Sequence, residues 1–129
     1  SIKNIKSYIT IIDSVKHTDA IDMMSNSTFL ILILTNDFEG RIAFTGKFFE
    51  YLKIGKPILA LVPEGEVSMI INKYTLGVVA NPDSPEQIAE AIYKLYSEQE
   101  KWSKQKIPDE VLEKFSRENL TKQLESLFI

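Results

Sequence analysis

The sequence predicts an α/β fold, a Rossmann-like parallel sheet of about four strands flanked by helices. Short apolar segments rich in β-branched residues alternate along the chain with longer segments whose apolar residues recur every three or four positions. Such alternation is typical of right-handed βαβ units, which build a parallel sheet. The predicted strands are residues 8–12, 29–34, 58–62 and 77–80.

Composition limits the kind of protein this is. The chain has 129 residues, 44% of them hydrophobic and 26% charged, as expected of one soluble globular domain covering 1–129. A net charge of −3 gives no reason to expect a nucleic acid partner. The absence of cysteine excludes disulfides and is compatible with the cytoplasm, the expected location. The longest strongly apolar segment, 29–34, is too short to span a bilayer, so we expect no transmembrane segment.

The first half of the chain predicts two strands with a helix between them. Residues 8–12 contain four consecutive β-branched residues and predict the first strand. Thr18 is a candidate cap for the helix that follows, with Asp19 in its first turn. The apolar segment 29–34 predicts the central strand.

Residues 44–62 predict a helix, a tight turn and a buried strand. Thr45 can cap the helix. Phe44, Phe48, Tyr51 and Leu52 give it one apolar face. Gly55 suits the left-handed residue that ends a helix, and Pro57 prevents the helix from resuming. Residues 58–62 are apolar throughout, which is typical of a strand covered on both faces.

The second half predicts a helix over 66–74, a strand over 77–80 and then a well-marked helix. Ser84 and Gln87 have the spacing of a capping box, with Pro85 in the first turn. The core stripe of this helix is predicted from Ile88, Ala91, Ile92 and Leu95. A charged connection follows over 98–106, in which we expect Trp102 to pack, as we do Tyr96 just before it. A last helical region, broken near Phe115, is predicted over 108–128.

The amino end of the helix after Thr45 is a candidate phosphate site. Free backbone N–H groups and the helix dipole favour an anion there, Gly46 leaves room for it, and Lys47 adds a charge. Glu50 follows about one turn later, ~6 Å along the axis, where a carboxylate can accept hydrogen bonds from ribose hydroxyls. The ordinary alternative is a surface ion pair between Lys47 and Glu50.

The preceding loop, 35–43, should lie at the carboxyl end of the central strand, where open α/β sheets bind ligands. It carries the densest set of polar and flexible residues near this candidate site: Asp37, Glu39, Gly40 and Arg41.

The series TGKFFEYL (45–52), GKPILA (55–60), GVV (77–79) and NPDSPE (81–86) resembles the donor-binding segment of family-four retaining glycosyltransferases with the GT-B fold. The resemblance covers roughly residues 9–127. It implies a partial GT-B C-terminal domain, truncated at its N-terminus and inactive alone. A missing N-terminal domain would bind the acceptor, and the donor would be a UDP- or GDP-sugar. The full-length enzyme could then work at the inner face of the membrane.

The resemblance also implies roles for individual residues. Glu50 matches the glutamate that contacts ribose, and Thr45 and Gly46 fall where the family meets the phosphates, with Gly40 nearby. The glutamate that approaches the sugar should stand eight positions earlier, where this chain has Ile42. Glu39 is therefore the candidate for that contact.

Retaining transfer requires stabilisation of the charge that develops on the leaving phosphate, a role that we assign to Lys47, with Arg41 as a second candidate. His17, the only histidine, could approach the nucleobase, although a helix-entry histidine without a chemical role is the ordinary alternative. The sequence has no cluster of metal ligands, so no metal or other cofactor is expected.

Two other functions share these features. A sugar-nucleotide epimerase has the same architecture but needs acid and base side chains that the sequence does not supply. A non-catalytic nucleotide-binding or assembly module is the third possibility. Because the family's strands before 29–34 are missing, we also expect an open sheet edge there, with a homodimer or a rearranged N-terminus covering it.

Overall fold

A computed structural model describes residues 6–34 and 47–116 together with residues 121, 124, 125 and 127. Within these residues the chain is α/β, with a Rossmann-like parallel sheet of three strands in the order β1-β2-β3. The strands are β1 (Leu30–Ile33), β2 (Ile58–Leu61) and β3 (Gly77–Ala80). Their first residues lie side by side, since Leu30 pairs with Ile58 and Ile58 with Gly77.

Helices precede, connect and follow the strands. They are α1 (His17–Ser25), α2 (described over 47–54), α3 (Glu66–Lys73), α4 (Pro85–Ser97), α5 (Gln99–Ser103) and α6 (Asp109–Lys114). Residues 6, 121, 124, 125 and 127 are also helical. None of the helices in the described parts of the chain is long and apolar enough to cross a membrane.

The sheet separates two hydrophobic cores. One face, with α2, α3 and α6, contributes Leu32, Leu34, Phe48, Leu52, Ile58, Ala60, Val62, Val67, Ile70, Ile71, Leu76 and Val111. The opposite face packs against α4 and α5 through Leu59, Ala80, Ala91, Leu95 and Trp102. Helices α2 and α3 share one face because successive right-handed crossovers in one direction along a sheet keep their helices on the same side. The central strand β2 is therefore covered on both faces, as the run 58–62 predicts.

The turn from α2 into β2 confirms the prediction made from Gly55 and Pro57. Gly55 has a φ of 81°, in the left-handed region, and its N–H donates to the Tyr51 carbonyl oxygen at 3.0 Å. Only three residues separate α2 from β2. Because this turn enters the amino end of β2, α2 runs back across the sheet and directs its amino-terminal part toward the carboxyl ends of the strands.

The predicted strand at 8–12 is wrong, and the sheet has three strands rather than about four. The described residues 8–16 form no strand, and Tyr8 and Ile11 are 87% and 84% exposed. β-branched composition favours a strand only where a neighbouring strand and a buried face receive it. The predicted Thr18 cap is also wrong, because α1 begins at His17 and its N-cap residue, Lys16, makes no side-chain capping bond.

The helix after β3 begins at the predicted residues, but only one of the two capping-box bonds forms, because the Ser84 N–H donates to the Asn81 carbonyl oxygen and the Gln87 side-chain oxygen accepts from the Asn81 N–H. The Ser84 hydroxyl oxygen accepts from the Gln87 N–H at 3.3 Å, and Pro85 is the first helical residue. Its core stripe is narrower than predicted, because Ala91 and Leu95 are buried whereas Ile92 is 43% exposed. Tyr96 is exposed as well, contrary to the packing role predicted for it.

The predicted charged connection contains a short helix, α5, that closes one core. Trp102 is 5% exposed there, which confirms its predicted packing role. Downstream, the Gln105 side-chain amide donates to the Thr75 carbonyl oxygen and ties the segment to the turn between α3 and β3. α6 ends at Lys114 with Phe115 as its C-cap residue, which agrees with the break predicted near Phe115.

Candidate functional site

Helix α2 carries the part of the predicted site that the structure describes. Phe48, Phe49 and Leu52 are 1%, 7% and 1% exposed, so the helix is held firmly against the sheet. Phe48 also meets the ring of Phe115 edge-on, with centroids 5.4 Å apart. The remaining sides of α2 present Lys47, which is exposed, and Glu50, which is half-buried.

Tyr51 fixes α2 relative to the outer strand. Its hydroxyl donates a hydrogen bond to the Ile31 carbonyl oxygen at 2.8 Å. The N–H groups of Leu30 and Leu34 donate hydrogen bonds toward β2. Because the backbone groups of successive residues in a strand point in opposite directions, the N–H and C=O groups of Ile31 point away from β2, toward the outer edge of the sheet. Burial, and secondly the negative charge of Glu50, raise the pKa of the Tyr51 hydroxyl.

Glu50 contacts His17 across an open groove between α1 and α2. The His17 Nε2 and Glu50 Oε1 atoms are 3.6 Å apart. The spacing within α2 predicts Lys47 as the ion-pair partner of Glu50, but among the described residues the side chain that approaches the Glu50 carboxylate is His17. The groove has a volume of about 510 Å³ and is lined by His17, Ile21, Ser25, Phe49, Glu50, Lys53 and Ile54.

The groove combines polar and apolar groups. His17 and Glu50 belong to the first turns described in α1 and α2, and both helices run from the carboxyl edge of the sheet back to its amino edge. Lys53 lies one turn further along α2, with its Nζ atom 4.9 Å from the centroid of the Phe49 ring. The arrangement can present a carboxylate, an imidazole and an ammonium group to one polar ligand beside an apolar wall.

The structure brings together only some of the predicted site residues. His17, Lys47 and Glu50 are described, and His17 and Glu50 are in contact. Glu39, Gly40, Arg41, Thr45 and Gly46 lie outside the described residues. Their predicted roles at the phosphates and at the transferred sugar stay predictions.

Sequence reasoning missed two features of this region. Tyr51 was assigned to an apolar face, and its hydroxyl bond to Ile31 spans twenty residues that no local pattern connects. The contact between His17 and Glu50 was also missed, because the described residues before α1 form no strand that would place this helix beside α2, and no local pattern connects the two residues.

Among the described residues, no group of three or more acidic or histidine side chains is placed to hold a metal ion. The expectation that the chemistry uses no metal stays a prediction.

Comparison of the chain with protein-family models, with curated proteins and with solved structures finds no match in any of the three.

Proposed function

We propose that this chain is the nucleotide-sugar-binding half of a retaining glycosyltransferase. It would hold a UDP- or GDP-sugar while a domain outside these 129 residues binds the acceptor. The resemblance of residues 45–60 and 77–86 to family-four enzymes supports the proposal. The structural observation that carries it is the position of Glu50, which is neither buried in a closed interior nor fully exposed.

Glu50 is suited to bind a ribose ring. Its side chain is 27% exposed and lines the groove between α1 and α2, so a ligand can reach it while part of the water around it is excluded. A carboxylate accepts hydrogen bonds only, and a vicinal diol offers two donors. Hydrogen bonds to a charged group are among the stronger ones in water, about 1.5–3 kcal/mol each.

Lys47 would serve the diphosphate. It is the first described residue of α2, at the helix end that points to the carboxyl edge of the sheet, and its side chain is exposed. In the proposed reaction the bond between the sugar and the diphosphate breaks, and negative charge grows on the departing phosphate oxygen. An ammonium group and the positive end of a helix stabilise that charge. Arg41 would add to this stabilisation, and Glu39 would contact the transferred sugar.

Titration with UDP-glucose and GDP-mannose tests the binding function. We expect saturable binding of one of them and a loss of about tenfold or more in affinity in Glu50→Ala, since about 1.4 kcal/mol corresponds to tenfold. Glu90→Ala is the matched control, because Glu90 is an exposed carboxylate on α4, on the other side of the sheet. A folded chain that binds neither nucleotide sugar would contradict the proposal and favour an assembly module. Product analysis with the full-length protein distinguishes transfer from epimerisation, since an epimerase needs no acceptor.

The open edge of β1 favours assembly as a second property. Ile31 and Ile33 are 50% and 65% exposed, and among the described residues no strand pairs with that edge. The Ile31 carbonyl oxygen on this edge accepts from the Tyr51 hydroxyl, but a strand edge that pairs with no other strand, next to exposed apolar side chains, still invites pairing with another chain. We propose a second copy of this chain as the partner, which would form a homodimer through β1.

A further inference from the structure

We infer that His17 is a positioning residue for Glu50, one that holds one carboxylate oxygen so that the other stays free for the hydroxyls of a ligand. The inference rests on the proposed function, because it concerns the same nucleotide site. It differs from the role that the sequence suggests for His17, which is contact with the nucleobase. The observation behind it is the 3.6 Å approach of His17 Nε2 to Glu50 Oε1.

The backbone of Glu50 needs no further support, because both of its neighbours are fixed. Phe49 is 7% exposed, and the Tyr51 hydroxyl is bonded to the Ile31 carbonyl oxygen. The freedom that remains is in the side-chain torsions of Glu50, and a glutamate in water samples several rotamers. An imidazole that contacts one carboxylate oxygen selects among those rotamers before a ligand arrives. Such preorganisation improves affinity without any new contact to the ligand.

The imidazole approaches the Oε1 atom of Glu50. This leaves the other carboxylate oxygen available to accept hydrogen bonds from a ligand. The distance of 3.6 Å is longer than a direct hydrogen bond, and a change of ~0.5 Å would bring it into the normal range. In the described part of the chain the imidazole approaches Oε1, and Oε2 is the oxygen left for a diol. Lys53 also lines the groove, but its ammonium group lies over the Phe49 ring.

A double comparison of variants and ligands tests the inference. The ligands are UDP and GDP, each paired with its 2′,3′-dideoxy form, which lacks both ribose hydroxyls. In His17→Ala we expect the affinity for the hydroxylated nucleotide to fall about threefold, which is the range of an exposed ion pair. The affinity for the dideoxy nucleotide should not change. His17→Gln, which keeps a side-chain N–H donor, should restore most of the loss, and Asp22→Asn on α1 serves as the matched control.

The comparison separates positioning from other roles. If His17 contacted the base or the phosphates, or if His17→Ala merely loosened α1, both nucleotide forms would lose affinity alike, and the inference would be wrong. An unchanged affinity in His17→Ala, with Glu50→Ala still impaired, would overturn the inference and leave the proposed function standing. Failure of the unmodified chain to bind either nucleotide would remove both.

The single histidine offers a second readout that needs no ligand. The imidazole proton resonances of His17 are identified without ambiguity in an NMR spectrum. They should move in Glu50→Gln and stay in place in the control Glu90→Gln. If the His17 resonances stayed unchanged in Glu50→Gln, the contact between His17 and Glu50 would not exist in solution, and the inference would be wrong.

Discussion

The hydroxyl of Tyr51 bonds to the carbonyl oxygen of Ile31 at 2.8 Å, and this bond joins α2 to the outer edge of β1. In the sequence the two residues lie on either side of residues 35–46, which include most of the predicted site residues. The bond therefore fixes the position of the strand before this segment relative to the helix after it.

Removal of the Tyr51 hydroxyl should weaken this connection. We expect Tyr51→Phe to lower the free energy of unfolding by about 0.5–1.5 kcal/mol, the usual net value of one hydrogen bond, because the Ile31 carbonyl loses its partner. Chemical denaturation measures the change. Tyr93→Phe is the control, since Tyr93 is 72% exposed on α4 and should change stability by less than about 0.5 kcal/mol. Equal effects of the two substitutions would show that the bond contributes nothing.

The same residue predicts how stability depends on pH. Burial and the Glu50 charge raise the pKa of Tyr51 above its ordinary value of 10.0, so the folded chain holds the phenolic proton more tightly than the unfolded chain. This contribution is complete below the ordinary value and is lost as the pH rises through the raised one. The free energy of unfolding should therefore fall in alkaline solution, and less steeply in Tyr51→Phe than in Tyr93→Phe. If the free energy of unfolding fell equally steeply with pH in the two variants, the raised pKa of Tyr51 would be contradicted.

Gly77 is required by the close approach of two strands. A Cβ atom added at Gly77 would lie 1.8 Å from the Ile58 carbonyl oxygen, in the backbone of β2. Since backbone cannot move aside as a side chain can, Gly77→Ala should cost about 2 kcal/mol or more. Gly65→Ala is the comparison, because a Cβ there would have nothing within 4 Å, and it should cost less than about 1 kcal/mol. Thermal denaturation measures the stability of the two variants. If Gly77→Ala were as stable as Gly65→Ala, the close approach of the two strands would not be what requires glycine at this position.

The proposed homodimer predicts a dependence on the outer edge of β1. Lysine on an edge strand opposes pairing with another chain, so Ile33→Lys should convert dimer to monomer. Met69→Lys, at a side chain on α3 that is 70% exposed, should leave the dimer intact. Sedimentation analysis of the two variants and the unmodified chain gives the masses directly. A monomeric unmodified chain at all tested concentrations would end the proposal.

The parts of the fold that local patterns determine were predictable. The strands at 58–61 and 77–80 and the helix capped by Ser84 each carry their own signals, such as an apolar run bounded by turn residues or a capping hydroxyl three residues before its N–H donor. Gly55 likewise marks the end of α2 through its own backbone preference.

Features that depend on a distant partner were not predictable. Residues 8–12 have the composition of a strand, but composition does not supply the neighbour that a strand needs. Tyr96 and Ile92 are predicted to pack, yet the side chains of this thirteen-residue helix that are buried against the sheet are Ala91 and Leu95, with Ile88 partly buried beside them. In the candidate site, the helical placement of Lys47 and Glu50 was predictable from local pattern and their roles stay predictions, whereas the Tyr51 bond to Ile31 arises only from tertiary packing.

The two short helices near the end of the described chain have a practical consequence for anyone who shortens this protein. Trp102 in α5 and Val111 in α6 are 5% and 0% exposed, and each completes a different hydrophobic core. A protein truncated before Trp102 would expose apolar surface on both faces of the sheet. Such a truncated protein should aggregate in the host cell. Fusion partners and affinity tags are better attached beyond Phe115, where the last of these packed helices has ended.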